Sequence, residues 1–268
     1  MAKSSKTIQM AAVAIVAIVA VAAIGFVLLG NGADNRTALE KIKDRGTLII
    51  GTSAGFPPFE MMKDGGGVEG VDIDIAQKIA DALNVRLVVD NYDDFSMLIS
   101  ALQQGKVDMI VAGMTITDAR NESVTFSMPY YKADQALVVL KTNDAIQSTE
   151  DLAGKKVAVN TGTTGQYYVE DELPGVDLNT YGTASDTFQA LIGNKVDAVI
   201  IDEPVANNYI TDDGPYQIVQ VIETNEFYGI AMPKTNADDL IQEVNRILGE
   251  MIENGDLEDI ISKWSKAA

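Results

Sequence analysis

Arg120 and Asp202 each follow an apolar run that reads as a β-strand, and each stands among glycine, hydroxyl and aromatic residues. Four strand ends carry such groups. One runs into Ser53-Ala54-Gly55-Phe56-Pro57-Pro58-Phe59-Glu60, and another into Ala112-Gly113-Met114-Thr115-Ile116-Thr117-Asp118-Ala119-Arg120. The third runs into Thr161-Gly162-Thr163-Thr164-Gly165 and the fourth into Asp202-Glu203-Pro204. A guanidinium holds a carboxylate through two parallel hydrogen bonds. Backbone N–H groups at a helix start, here near Thr163 and Thr164, can share that carboxylate. An aspartate pairs with an ammonium, and rings such as Phe56 and Phe95 can sandwich an apolar stem. The set suits a small zwitterion. Each member also has an ordinary explanation. Arg120 could pair with Glu122, Asp202 could cap the helix that follows it, the two phenylalanines could be core, and the Gly-Thr turn could be plain loop. Placement of all of them at strand ends, where α/β sheets bind ligands, favours a site.

Composition removes much other chemistry. The 268 residues include no histidine and no cysteine. Serine–histidine and cysteine–histidine dyads, histidine general bases, thiolate or histidine metal sites, disulfides and a lipid-modified cysteine are all excluded. No cofactor and no metal is expected. With 39 acidic against 20 basic residues the formal charge is −19, which repels nucleic acid and anionic lipid. Hydrophobic content of 47% is enough for a folded core. Enzymatic turnover would have to rest on Glu60, Glu203 or Asp202 as a general base; binding alone needs only Arg120 and Asp202, and the chain is read as a binder rather than an enzyme.

Strands and helices alternate from residue 46 onward. TLIIGT at 47–52, VRLVVDN at 85–91, VDMIVAG at 107–113, KKVAVN at 155–160 and residues 197–202 read as strands. Helices are expected at 72–84 with Asp72 as cap, at 95–104, 164–171, 185–193, 203–211 and 236–254, and in a short terminal segment carrying Trp264. Alternation of this kind predicts parallel sheets covered on both faces. Ala101-Leu102 followed by Lys106-Val107-Asp108 is echoed by Ala190-Leu191 followed by Lys195-Val196-Asp197, and residues 46–55 by residues 154–163. Two echoes in the same order indicate two lobes of similar α/β build.

Lys3 and Lys6 precede an apolar run from Met10 to Leu29. At ~1.5 Å rise per residue it just spans a ~30 Å hydrocarbon core. Residues 1–30 therefore read as an uncleaved membrane anchor or a cleaved signal peptide, and residues 31–36 as a linker. Either way the domain lies outside the cytoplasmic membrane, in the periplasm or at the cell surface.

Gly70-Val71-Asp72-Ile73-Asp74-Ile75-Ala76 closely resembles the signature of the polar-amino-acid (family 3) solute-binding proteins of ABC-type importers, with Val71 where that family more often has Phe. Residues 56–60, Asp94-Phe95-Ser96, residues 113–120, residues 126–131 and Tyr228-Gly229-Ile230 resemble the same family in the same order. Within that family it resembles the glutamine- and histidine-binding periplasmic proteins. The resemblance implies an α/β, two-lobed periplasmic-binding-protein fold, each lobe a mostly parallel sheet flanked by helices, joined by a two-stranded hinge near Tyr130–Asp134 and Glu226–Gly229 and preceded by the N-terminal hydrophobic helix. Lobe one would be residues 37–130 plus 230–268, and lobe two residues 135–226. The resemblance also implies that Phe56 and Phe95 flank the ligand side chain, that Arg120 and Thr163 hold its carboxylate, and that Asp202 takes its α-ammonium. Gly113 and Thr115 would offer backbone groups. Met114, Thr164, Ser53 and Asn160 complete the expected ligand-binding set. Ser53, where several relatives carry an aspartate, and Asn160, where some carry charged or histidine side chains, fit a polar neutral ligand such as glutamine. The implied partners are a free amino acid and the membrane permease of an importer, with the receptor acting as a monomer. A sensing module for a separate signalling partner, or a small-carboxylate dehydratase on the same fold, are the alternatives.

Overall fold

The computed structural model describes residues 35–265. Residues 1–30, and the linker as far as residue 34, lie outside the described residues, and with them the expected hydrophobic helix. Among the described residues no helix is long and apolar enough to cross a membrane.

The chain begins with α1 (Ala38–Arg45), closed at its start by a Thr37–Glu40 capping box and at its end by Gly46. Then follow β1 (Thr47–Thr52), the small hairpin β2 (Met61–Met62) and β3 (Val68–Glu69), α2 (Val71–Ala82) and β4 (Arg86–Asn91). A 3₁₀ turn at Phe95–Met97 leads into α3 (Leu98–Gln103), then β5 (Met109–Ile110), α4 (Asp118–Asn121), β6 (Val124–Phe126) and the long β7 (Tyr131–Leu140). The middle of the chain supplies β8 (Lys156–Asn160), α5 (Thr164–Glu172), β9 (Asp177–Tyr181), α6 (Ala184–Ile192), β10 (Ala198–Asp202), α7 (Glu203–Tyr209) and β11 (Tyr216–Tyr228). Last come β12 (Ala231–Pro233), α8 (Asp238–Asn254) and α9 (Asp256–Trp264).

These strands form two five-stranded sheets, in the orders β4-β1-β5-β12-β6 and β11-β7-β10-β8-β9. The architecture is the two-lobed α/β one expected, but each sheet is mixed. β1 runs parallel to β4 and β5, whereas β12 runs antiparallel to β5 and β6. In the second sheet β8 runs parallel to β9 and β10, and β7 runs antiparallel to β10 and β11. The antiparallel strands carry the chain from one sheet to the other and back. A returning strand must run opposite to its neighbour, and no βαβ crossover reverses it.

β7 and β11 are the physical link. Their ladder extends from Tyr216 opposite Leu140 to Tyr228 opposite Tyr131, with irregularities between Ile218 and Gln220 and between Ile222 and Glu226. Where the strands meet the first sheet, Phe59 is fully buried and packs edge-on against Tyr131 and Tyr228, with ring centroids 4.9 and 5.1 Å away. Such edge-to-face pairs add to the large apolar area that each ring buries.

α2 departs from expectation at its start. Gly70 is the N-cap, and no side chain caps the helix there. Asp72 instead turns inward and is completely buried. The first N–H groups of α2 are satisfied by carbonyls of the preceding loop, Val71 to Pro58 and Asp72 to Phe59, both at 3.0 Å. That docking requires glycine. Gly70 has φ +142°, and a Cβ there would lie 2.1 Å from the Phe59 carbonyl oxygen. α7 is shorter than expected because Ile210 is extended, with ψ 129°. Gly70→Ala combines a disallowed backbone with a backbone clash. It is expected to cost at least ~2 kcal/mol in urea unfolding, and an unchanged midpoint would refute this account of the α2 start.

Candidate functional site

Loops from both sheets converge on one cleft. From the first sheet's side it is lined by Ser53, Phe56, Glu60, Phe95, Ala112, Gly113, Thr115 and Arg120. From the second come Asn160, Thr163, Thr164, Thr183, Ala184 and Asp202. The geometry thus gathers ten of the expected residues. Met114 is the exception: it is buried in a core cluster with Leu98, Val124 and Phe126, and its carbonyl accepts from the Gly229 N–H at 3.0 Å.

Arg120 is only 8% exposed. It sits in α4, whose N-cap Thr117 accepts from the Arg120 N–H. Nη1 donates to the Thr115 carbonyl at 2.7 Å and Nη2 to the Gly162 carbonyl at 3.0 Å, across the cleft. The guanidinium carbon lies 5.4 Å from the Phe95 ring centroid. No described carboxylate stands within ion-pair distance of it, so the pairing with Glu122 is not made. Burial lowers its pKa from the ordinary arginine value. Asp202 and Glu226 act on its charge from a distance, without direct contact.

Asp202, 4% exposed, stands at the N-cap of α7, but its side chain caps no N–H of that helix. Its carboxylate accepts from Gln135 Nε2 at 2.9 Å and, through a very short contact, from the Tyr228 hydroxyl. Burial, helped by the charge of Glu226, raises its pKa to about 6, against the opposing hydrogen bonds. It is therefore mostly ionised at neutral pH and can meet a cation.

Thr163 caps α5: its Oγ1 accepts from the Gln166 N–H and donates to the Asn160 carbonyl at 2.8 Å. The first-turn N–H groups of α5 have no intrahelical partner and start at the cleft. Gly113, φ +51°, lets the Phe56 ring approach; a Cβ there would lie 2.8 Å from it. The Gly113 N–H donates to Asp72 at 2.6 Å, and the Tyr130 hydroxyl donates to the same carboxylate.

Two features escaped the sequence reading. One is the start of α6, where Thr183 and Ala184 line the cleft. Thr183 accepts from the Asp186 N–H and donates to the Asp186 carboxylate, a cap signal legible in Thr183-x-x-Asp186. The other is a chain of buried acids beneath the cleft. Glu60, 1% exposed, is buried close enough to Asp72 and Asp202 to feel the charge of both. Burial first, and Asp72 second, push the Glu60 pKa well above the usual range. Burial raises Asp72 to about 7 despite the bonds from Gly113 and Tyr130. Among the described residues no cluster of acidic side chains is arranged to hold a metal ion.

Loops of the two sheets also meet on β11. Glu226 Oε2 accepts from Thr115 Oγ1, beyond β5, at 2.9 Å and from Thr164 Oγ1, at the start of α5. Gly162 lies against Ser96, and the Tyr209 hydroxyl donates to the Gly55 carbonyl at 3.2 Å.

The chain belongs to the bacterial extracellular solute-binding proteins, family 3, which it matches over residues 48–267. It is 32% identical over 229 residues to the L-cystine-binding protein TcyJ of Escherichia coli, covering 84% of this chain and 85% of that one. It is 33% identical over 244 residues to the arginine-binding extracellular protein ArtP of Bacillus subtilis, covering 90% and 93%. Among solved structures, an ancestral arginine-binding protein bound to arginine is 42% identical with a TM-score of 0.78, covering 83% of this chain and 99% of that one. The ancestral amino acid-binding protein AncCDT-1, a precursor of cyclohexadienyl dehydratase, is 35% identical with a TM-score of 0.81, covering 86% and 100%.

The buried acids set a pH dependence. An unfolded aspartate titrates near ~3.9, while Asp72 in the fold titrates near 7. Between those values the folded chain binds more protons than the unfolded one, so stability falls as pH rises through the window and levels off above it. The melting temperature without ligand is expected to be higher at pH 5.5 than at pH 8. Asp72→Asn should flatten that slope, and an unaltered slope would contradict the assignment.

Proposed function

We propose that this protein captures a polar amino acid such as glutamine between its lobes and presents the closed form to the membrane permease of an ABC-type importer. The carrying observation is the facing pair in one cleft: a buried guanidinium with no carboxylate partner and a buried carboxylate with no cationic partner, Arg120 and Asp202. Their charges match the two ends of an α-amino acid. Phe56 and Phe95 flank the stem, and the start of α5 at Thr163 and Thr164 shares the carboxylate. The amino-acid ligands named for the relatives support the same chemistry.

In this reading the lobes comprise residues 37–130 plus 230–268, and 135–226. They rotate about the crossings near Tyr130–Asp134 and Glu226–Gly229. Ligand held by Arg120 gains Asp202 only on closure, so its affinity for the closed state exceeds that for the open one and the population shifts. Glu226 latches closure by accepting from Thr115 and Thr164 together. Binding without turnover is the reading adopted; decay of a bound amino acid on prolonged incubation would instead favour a dehydratase.

Melting of residues 34–268 with each of the twenty amino acids at millimolar concentration tests the ligand class. Saturation at ~100 times Kd stabilises a folded receptor by roughly 2.7 kcal/mol. One or a few polar amino acids are expected to give that upshift, and Arg120→Ala to abolish it. Arg120→Ala should also weaken binding more than Phe56→Ala or Phe95→Ala; an equal or smaller loss would overturn the carboxylate role. Glu226→Ala should enlarge the radius of gyration of the ligand-free protein in small-angle scattering and speed ligand release. Unchanged scattering and release would remove Glu226 from the latch.

A further inference from the structure

Gln135 lies on β7, opposite Asp202 of β10, and is completely buried. Its amide nitrogen serves three acceptors. Nε2 donates to Asp202 Oδ1 at 2.9 Å, and makes longer contacts of 3.4 Å with Glu226 Oε1 and with Thr164 Oγ1. The other oxygen of Glu226 is the one that accepts from Thr115 and Thr164. One amide therefore touches both the buried acid of the cleft and the contact that joins the two sheets' loops. Its orientation is forced, since a flipped amide would turn its oxygen toward two carboxylates. The oxygen instead finds no donor among the described residues, which in a buried side chain carries a cost. Two backbone features keep the arrangement. Glu223, Thr224 and Asn225 of β11 stand against Asp134 alone, with Asn225 at φ +53° and its N–H on Asp134 Oδ1 at 2.8 Å. Such a bulge re-aims the side chain that follows it, here Glu226. Gly165, in the first turn of α5, leaves room for the amide; a Cβ there would lie 2.9 Å from Gln135 Oε1.

We infer that Gln135 is a positioning residue that couples Asp202 to Glu226, so that an ammonium arriving at the first strengthens the closure contact at the second. The inference rests on the amino-acid reading of Asp202 and on Glu226 as the latch. Without an ammonium, Asp202 holds the amide by its short bond. The charge of Glu226 is felt at Asp202, and the two like charges draw on one donor. An ammonium brings its own N–H groups and a full positive charge to Asp202. The demand of Asp202 on the amide then falls, and the two long contacts to Glu226 and Thr164 can shorten. Hydrogen bonds to an ionised acceptor are the stronger kind. The free energy gained at the latch is then tied to occupancy of the cleft, which is a coupling between two places in one molecule.

Stopped-flow release of L-glutamine, or of whichever of the twenty amino acids raises the melting temperature most, tests this. Gln135→Met keeps the shape of the side chain and removes its donor. It is expected to speed release at least ~5-fold in the wild-type background. In a Glu226→Ala background the same substitution should add less than ~2-fold, because the partner it serves is gone. Gln135 also steadies the ionised form of Asp202, together with Tyr228 by hydrogen bond and Arg120 by charge, against Glu226, while Glu60 feels the charge of Asp202. The acid limb of the affinity profile should therefore move to higher pH in Gln135→Met, a shift that a residue serving the fold alone would not produce. Gly165→Ala, which displaces the amide without removing it, should speed release in the same direction and carries the test should Gln135→Met fail to melt cooperatively. Effects of Gln135→Met and Glu226→Ala that simply multiply, or an acid limb that stays in place, would overturn the inference while leaving the amino-acid reading intact. A wild-type protein that none of the twenty stabilises would overturn that reading, and this inference with it.

Discussion

A guanidinium withdrawn from water must find its partners inside the protein, and Arg120 finds only two backbone carbonyls, one from each side of the cleft. Neutral carbonyls satisfy N–H groups, and the charge itself is eased only at a distance, by Asp202 and Glu226. Much of the surrounding structure keeps that arrangement in place. Thr117 caps the single turn that aims the side chain. Phe95 covers one face of the guanidinium. The Gly162 loop is pinned by its N–H donating to Gln166 Oε1 at 2.8 Å. The bond from Arg120 to Gly162 also joins the loops of the two sheets.

The acids follow a complementary rule. Asp72, Glu60 and Asp202 are buried in series; hydrogen bonds ease the cost at Asp72 and Asp202, and the charge of Arg120 adds to them at Asp202. Tyr130 and Tyr228, on the segments that cross between the lobes, donate to two of them. The crossing strands are thus anchored to the floor of the cleft at both lobes. A shift in the position of either crossing must be felt by Asp72 and Asp202, the acids that Tyr130 and Tyr228 bond.

Local signals made part of this legible in the sequence. The parallel strands β1, β4, β8 and β10 are short apolar runs bounded by turns, and helices α2, α6 and α8 have clear 3.6-residue periodicity. Strand ends then pointed to the cleft residues, from Ser53 to Asp202. The antiparallel strands were not legible. β7 and β11 pair with each other over long sequence separation, and β11 carries polar residues such as Gln220, Glu223 and Glu226 that break any apolar run. Asp72 looked like a cap because capping is a local rule. Its actual partners, Gly113 and Tyr130, lie 41 and 58 residues away. Met114 shared its turn with true lining residues, but a side chain's facing depends on the strand twist that the sequence does not display.

The insertion of β12 between β5 and β6 orders the way the molecule can assemble during synthesis. The second sheet is complete once Tyr228 is available, whereas the first lacks a central strand until Ala231–Pro233 has emerged. Until then Met109–Ile110 presents an open edge and Val124–Phe126 has no neighbour, the kind of surface that invites pairing with another chain. Closing this gap is also a long-range event, and such pairings are intrinsically slow. Thr47–Thr52 can pair with Arg86–Asn91 and Met109–Ile110 before that, so it is the far side of the first sheet, at Val124–Phe126, that waits for the end of the chain.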